Sequence, residues 1–131
     1  MDTAKRKLVR ERANECCEYC GRHQDESPLA PLQIEHIIPR KHGGSDDQVN
    51  LCLACIDCNL AKSSNLTGID PDTGDANHPV QLFNPRTQNW VDHFERQGPV
   101  IVGKTDVGRT TVFVLNMNGE DQVERRRQSV R

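Results

Sequence analysis

Two Cys-x-x-Cys pairs, Cys17–Cys20 and Cys55–Cys58, constrain this chain more than any other feature, with 34 residues between Cys20 and Cys55. Zinc takes four ligands in a tetrahedron, and two such turns offer two thiolates each from compact loops. The 131 residues are 34% hydrophobic and 4% aromatic, a thin core for one domain. Small domains short of apolar surface need a staple. Met1 to Lys7 lacks an apolar signal region, and no run has the length to cross a bilayer. The expected address is therefore cytoplasmic, where paired thiols read as metal ligands rather than disulfides. Four sulfurs saturate zinc and leave no open position, so the expected zinc is structural.

Two further cysteines blur the register, since Cys16 adjoins Cys17 and Cys52-x-x-Cys55 competes with Cys55-x-x-Cys58. Cys52 alternates with Leu51 and Leu53 in an expected strand and reads as a small buried thiol. Cys55 and Cys58 are therefore the expected ligands beside Cys17 and Cys20. Residues 4–15 suit a helix with Leu8, Val9 and Ala13 on its apolar side. Strands are expected over 33–37 and 49–54, a surface loop over 41–48 between them, and a helix over 56–64. Residues 65–80, rich in Asp, Gly, Asn and Pro, read as a polar connection. Beyond it, 90–95 and 100–103 read as strands, and 107–117 and 121–127 as helices.

Glu35 and His36 are adjacent, so a strand would send their side chains to opposite sides. Hydrolysis of a phosphodiester needs a metal on one flank and a base on the other. A neutral imidazole suits the base at pH 7. Asn59 follows Cys58 directly, so a zinc ion would hold its backbone. Glu35 and Asn59 together offer oxygen donors, which suit Mg²⁺ or Mn²⁺. Lys62 lies one helical turn beyond Asn59, and Arg40 lies just past the strand; each is a candidate phosphate clamp.

Cys17-x-x-Cys20, Glu35-His36-Ile37-Ile38-Pro39-Arg40, Gly43-Gly44, Asn50-Leu51 and Leu53-Ala54-Cys55-x-x-Cys58-Asn59 with Lys62 closely resemble the HNH endonuclease family. The resemblance covers about residues 10–65. It implies an α+β fold: a ββα-metal finger stapled by a four-cysteine zinc site, with an N-terminal helix. It further implies that His36 is the general base, that Glu35 and Asn59 hold a catalytic Mg²⁺ or Mn²⁺, and that Asn50 braces the loop carrying the base. The implied substrate is DNA, most naturally double-stranded. One site per chain implies a nick, and a double-strand break would take two copies of the chain.

On this reading residues 1–65 form the finger, and 66–131 form a small α+β extension packed on the same domain. Phe83, Trp90, Phe94 and Phe113 would give that extension a core. Arg86, His93 and Arg109 are candidates to line a phosphate path. Net charge is −2, which permits a nucleic-acid partner without arguing for one. The basic clusters Lys5-Arg6-Lys7 with Arg10 and Arg12, and Arg125-Arg126-Arg127 with Arg131, read as solvated helix faces. Two readings compete with a DNA nuclease: a zinc-stabilised binding module without activity, and a nuclease acting on RNA. Glu35, His36 and Asn59 occurring together count against the first.

Overall fold

The structure, a computed structural model, describes residues 1–129, so Arg131 lies outside the described residues. The chain divides into two compact units, Met1–Ser64 with Asn84–Thr87, and Asn65–Phe83 with Gln88–Arg131. The fold is α+β, with helices and, among the described residues, three separate two-stranded antiparallel sheets. No helix among the described residues is long and apolar enough to cross a membrane.

The first unit opens with α1, Thr3–Arg12, whose start is fixed by Asp2 accepting from the Lys5 amide at 2.7 Å. It stops short of residue 15 because Asn14 and Glu15 turn into the left-handed region, at φ 54° and 57°. That reversal delivers the chain into the first cysteine turn. Strand β1, Gln33–His36, pairs antiparallel with β2, Leu51–Ala54, setting Glu35 opposite Cys52 and His36 opposite Leu51. Val49 and Asn50 belong to a single 3₁₀ turn, Gln48–Asn50, so β2 starts two residues later than expected. Helix α2, Ile56–Lys62, follows at once and ends where Ser63 takes φ 48°. Val9, Leu32, Leu51 and Leu53 are essentially fully buried and make the core against which α1 and the hairpin pack.

Arg6 and Lys7 of α1 are exposed, as expected of a solvated face, but three of its basic residues are tied down. Lys5 donates to the Asp46 carbonyl (2.9 Å), Arg10 to the Leu32 carbonyl (2.6 Å), and Arg12 to the Leu51 carbonyl (2.7 Å). These cations tie α1 to three separate stretches of backbone. Their heads satisfy backbone carbonyls in the loop at Asp46, just before β1 at Leu32, and at the start of β2 at Leu51.

In the second unit β3, Thr67–Gly68, pairs with β4, Val80–Gln81, inside what reads as a polar connection. Of residues 90–95, expected as a strand, only Phe94 and Glu95 are in one. Trp90–His93 is one helical turn, α3, which brings the Trp90 ring onto Phe94 at 5.1 Å. A strand would carry side chains four residues apart far beyond that distance. Strand β5, Phe94–Gln97, then pairs with β6, Val100–Gly103, around Gly98 at φ 62°. Helix α4, Asp106–Val114, is capped by Thr105 accepting from the Gly108 amide at 3.0 Å, and α5 spans Glu120–Gln128. Phe83, Phe94, Ile101, Leu115 and Met117 are buried, whereas Phe113 is 68% exposed and stands outside that core. Arg126 also departs from expectation: it is buried and donates to the Pro99 and Met117 carbonyls.

Candidate functional site

The cysteine turns are built alike. Cys17 Sγ accepts from the Cys20 amide at 3.5 Å, and Cys55 Sγ from the Cys58 amide at 3.4 Å. Cys55 also caps α2, so the second turn and the helix start are one structure. The sulfurs of Cys17, Cys20, Cys55 and Cys58 lie within 4.8 Å of one another, with Cys20 and Cys55 at 3.7 Å. Tetrahedral zinc at about 2.3 Å from each sulfur sets sulfur–sulfur separations of about 3.8 Å. The four thiols therefore fit a structural zinc. Burial pushes the Cys17 thiol well above its usual range, with hydrogen bonds to Cys20 and Cys55 adding to it. A cation is what lets four buried sulfurs ionise together. Cys52 stands apart: fully buried beside the Tyr19 hydroxyl, it is pushed up by burial to about 11 and stays a thiol.

Next to this staple lies a cleft of about 240 Å³, lined among others by Tyr19, Glu35, His36, Arg40, Asn59 and Lys62. The sheet and α2 converge there. Asn59 Nδ2 donates to Glu35 Oε1 and to Gln33 Oε1, both at 2.8 Å. Gln33 and Glu35 are two apart on β1 and so share a face, a signal present in the sequence but not read from it. Burial pushes the Glu35 carboxyl up, and the Asn59 hydrogen bond draws it partly back. One carboxylate and two amides form an oxygen donor set suited to a hard divalent cation. The two ends of an amide are alike in shape, so the same side-chain position can present Asn59 Oδ1 to such an ion.

His36 reaches the same cleft although its side chain leaves the strand on the other side from Glu35, because the strand ends there. Its Nε2 lies 2.6 Å from Asp46 Oδ1. A carboxylate only accepts, so Nε2 carries a proton, and in the neutral imidazole the lone pair is then on Nδ1. Arg40 Nη2 reaches both Asp46 oxygens, at 2.7 and 2.5 Å. The hydrogen bond from His36 and the charge of Arg40 hold the Asp46 carboxyl below the usual carboxylate range. Asp46 is the functional residue that sequence reasoning missed. Asp46-Asp47 reads there as loop polarity, and nothing local says which carboxylate turns back onto His36.

Asn50 locks this loop. Its Oδ1 accepts from the Ile38 amide (2.9 Å), and its Nδ2 donates to the carbonyls of Ile38 (2.9 Å) and Ser45 (2.8 Å). A Cβ on Gly44 would overlap the Ile38 carbonyl, so the loop closes only over glycine. Two expectations need correction. Lys62 is no exposed clamp: it is 6% exposed and donates to the Ile37 carbonyl at 3.0 Å, which braces the backbone just after His36. Burial pulls its ammonium below the usual range. Arg86 lines no phosphate path, because it is largely withdrawn from water and ion-pairs with Glu18 of the first cysteine turn. Of its companions, Arg109 is engaged by Asp70 at 2.9 Å and Asp72 at 3.0 Å, and His93 Nδ1 by Thr105 Oγ1 at 2.7 Å.

Residues 17–65 match the family model described as HNH endonuclease. That span runs from the first zinc ligand to just beyond α2, and contains every cleft residue named above. Neither a search of curated proteins nor one of solved structures found a match. What this part of the chain resembles is therefore a family described as endonucleases.

Proposed function

From the HNH endonuclease match over residues 17–65, we propose that the chain is a metal-dependent endonuclease that hydrolyses DNA phosphodiester bonds. The observation that carries this reading is the shared cleft of Glu35, His36 and Asn59. His36 Nδ1 is the base: it takes a proton from the water that attacks phosphorus. Asp46 is a positioning residue, which fixes the imidazole tautomer and favours the imidazolium that forms on proton transfer. Arg40 keeps Asp46 ionised for that task. Glu35 and Asn59 would hold Mg²⁺ or Mn²⁺, which when bound supplies charge stabilisation to the phosphate and the leaving oxygen. Lys62 and Asn50 hold the backbone on either side of Ile37 and Ile38, so the imidazole and the carboxylate keep their places. One such cleft per chain nicks one strand.

Supercoiled plasmid incubated with Mg²⁺ or Mn²⁺ is expected to convert to nicked circles. His36→Ala should slow this by about 100-fold or more, the usual worth of a general base. Asp46→Asn should lower kcat by about 10-fold or more and leave KM unchanged, because it touches the base and not the DNA. Equal conversion by wild type and His36→Ala would overturn the assignment of His36, whereas no conversion by either would leave a zinc-stabilised binding module.

A further inference from the structure

Glu35 lines a second groove as well as the cleft. This one encloses about 490 Å³ and is lined among others by Arg6, Arg10, Leu32, Gln33, Ile34 and Glu35. We infer that it holds the DNA backbone beside the bond that is cut, with Arg6 as its phosphate contact. The inference deepens the nuclease reading and rests on it.

The cations of α1 single out Arg6. Lys5, Arg10 and Arg12 are each fixed to a backbone carbonyl, and Lys7 faces Glu11 at 3.8 Å. The Arg6 guanidinium, by contrast, makes no hydrogen bond or ion pair with any described residue, yet it lines the groove. Arg40, the expected clamp on the opposite flank, has its Nη2 on both oxygens of Asp46, so it is tied to the loop that carries the base. The free planar fork near the cleft is therefore on α1. A guanidinium of that kind matches phosphate oxygens two at a time.

The rest of the lining suits a nucleotide rather than a bare anion. Ile34 offers apolar surface to a sugar, and Gln33 an amide to a polar edge, over a floor of buried Leu32. Arg10 does not compete with Arg6 for this role, because its guanidinium is held by the Leu32 carbonyl and paired with Glu15 at 3.5 Å. Glu35 lines both cavities, so the groove adjoins the place where a divalent ion would meet the scissile phosphate. A strand whose scissile phosphate lies in the cleft thus leads its next phosphate towards Arg6.

The test is binding of a fluorescent duplex oligonucleotide to the nicking-inactive His36→Ala chain, read by anisotropy over a range of salt. Adding Arg6→Ala should weaken affinity about 5- to 10-fold and reduce the salt slope by about one counterion. Arg6→Lys should restore the slope and only part of the affinity. In the otherwise wild-type chain, Arg6→Ala should raise KM for nicking and leave kcat alone. Circular dichroism confirms that each variant is folded. A folded Arg6→Ala chain that binds duplex with unchanged affinity and slope overturns the groove, whatever the plasmid assay shows. A wild-type chain that binds through Arg6 but never nicks sinks the nuclease reading and leaves the groove standing.

Discussion

Glu18 sits inside the first cysteine turn, and both of its oxygens are committed. Oε2 accepts from the Leu53 amide at 2.8 Å, and Oε1 takes the Arg86 guanidinium from 68 residues away. The two side chains are 12% and 13% exposed. Burial, with Arg12 nearby, lowers Arg86 to about 10, which still leaves it charged at neutral pH. Removing one partner of such a pair strands the other's charge. Arg86→Ala should therefore cost about 3–5 kcal/mol in denaturant unfolding, whereas the double replacement Glu18→Gln with Arg86→Met should cost much less. Arg86 shows what a sequence conceals. A charged residue beside a proline in a polar loop reads as a surface contact, and only a distant partner reveals it as structural. Lys62 and Asp46 are hidden for the same reason, since their partners Ile37 and His36 are set by chain reversals. The zinc ligands are legible because the chemistry demands four sulfurs at fixed short spacing.

At the scale of elements, the hairpin and α2 are visible as a strand, loop, strand and helix in order, and only their ends move. Val49 is expected to begin β2 but lies in the 3₁₀ turn that aims Asn50 back at the loop. The single helical turn Trp90–His93 is illegible, because a Trp-Val pair with a following Phe carries strand propensity. Ring stacking of Trp90 on Phe94 overrides it. The loop between β1 and β2 is where element geometry becomes chemistry. Asn50→Ala would free the Ile38 amide, the Ile38 carbonyl and the Ser45 carbonyl together. The expected cost is about 1–3 kcal/mol, seen in the denaturant midpoint. Nicking should fall further than duplex binding does, because the loop carries Asp46 and through it the orientation of His36.

For the molecule as a whole, the staple belongs to one unit only. All six cysteines lie in Met1–Ser64, and they differ sharply in reach. With zinc bound, Cys16 is the one partly exposed thiol, while Cys52 is buried and held protonated. Thiol titration of the native protein should therefore count one fast site. Chelation should convert the count to six and melt the first unit, since a structural zinc contributes about 10 kcal/mol or more to folding. A native count above one, or a folded first unit after metal removal, would refute the tetrathiolate. The family match ends at residue 65, yet the chain comes back to the first unit at Asn84–Thr87 to supply Arg86. A finger trimmed at the family boundary loses the counterion of a carboxylate sealed inside its own zinc turn. Grafting this module elsewhere thus requires either carrying residues through 87 or neutralising position 18 beforehand.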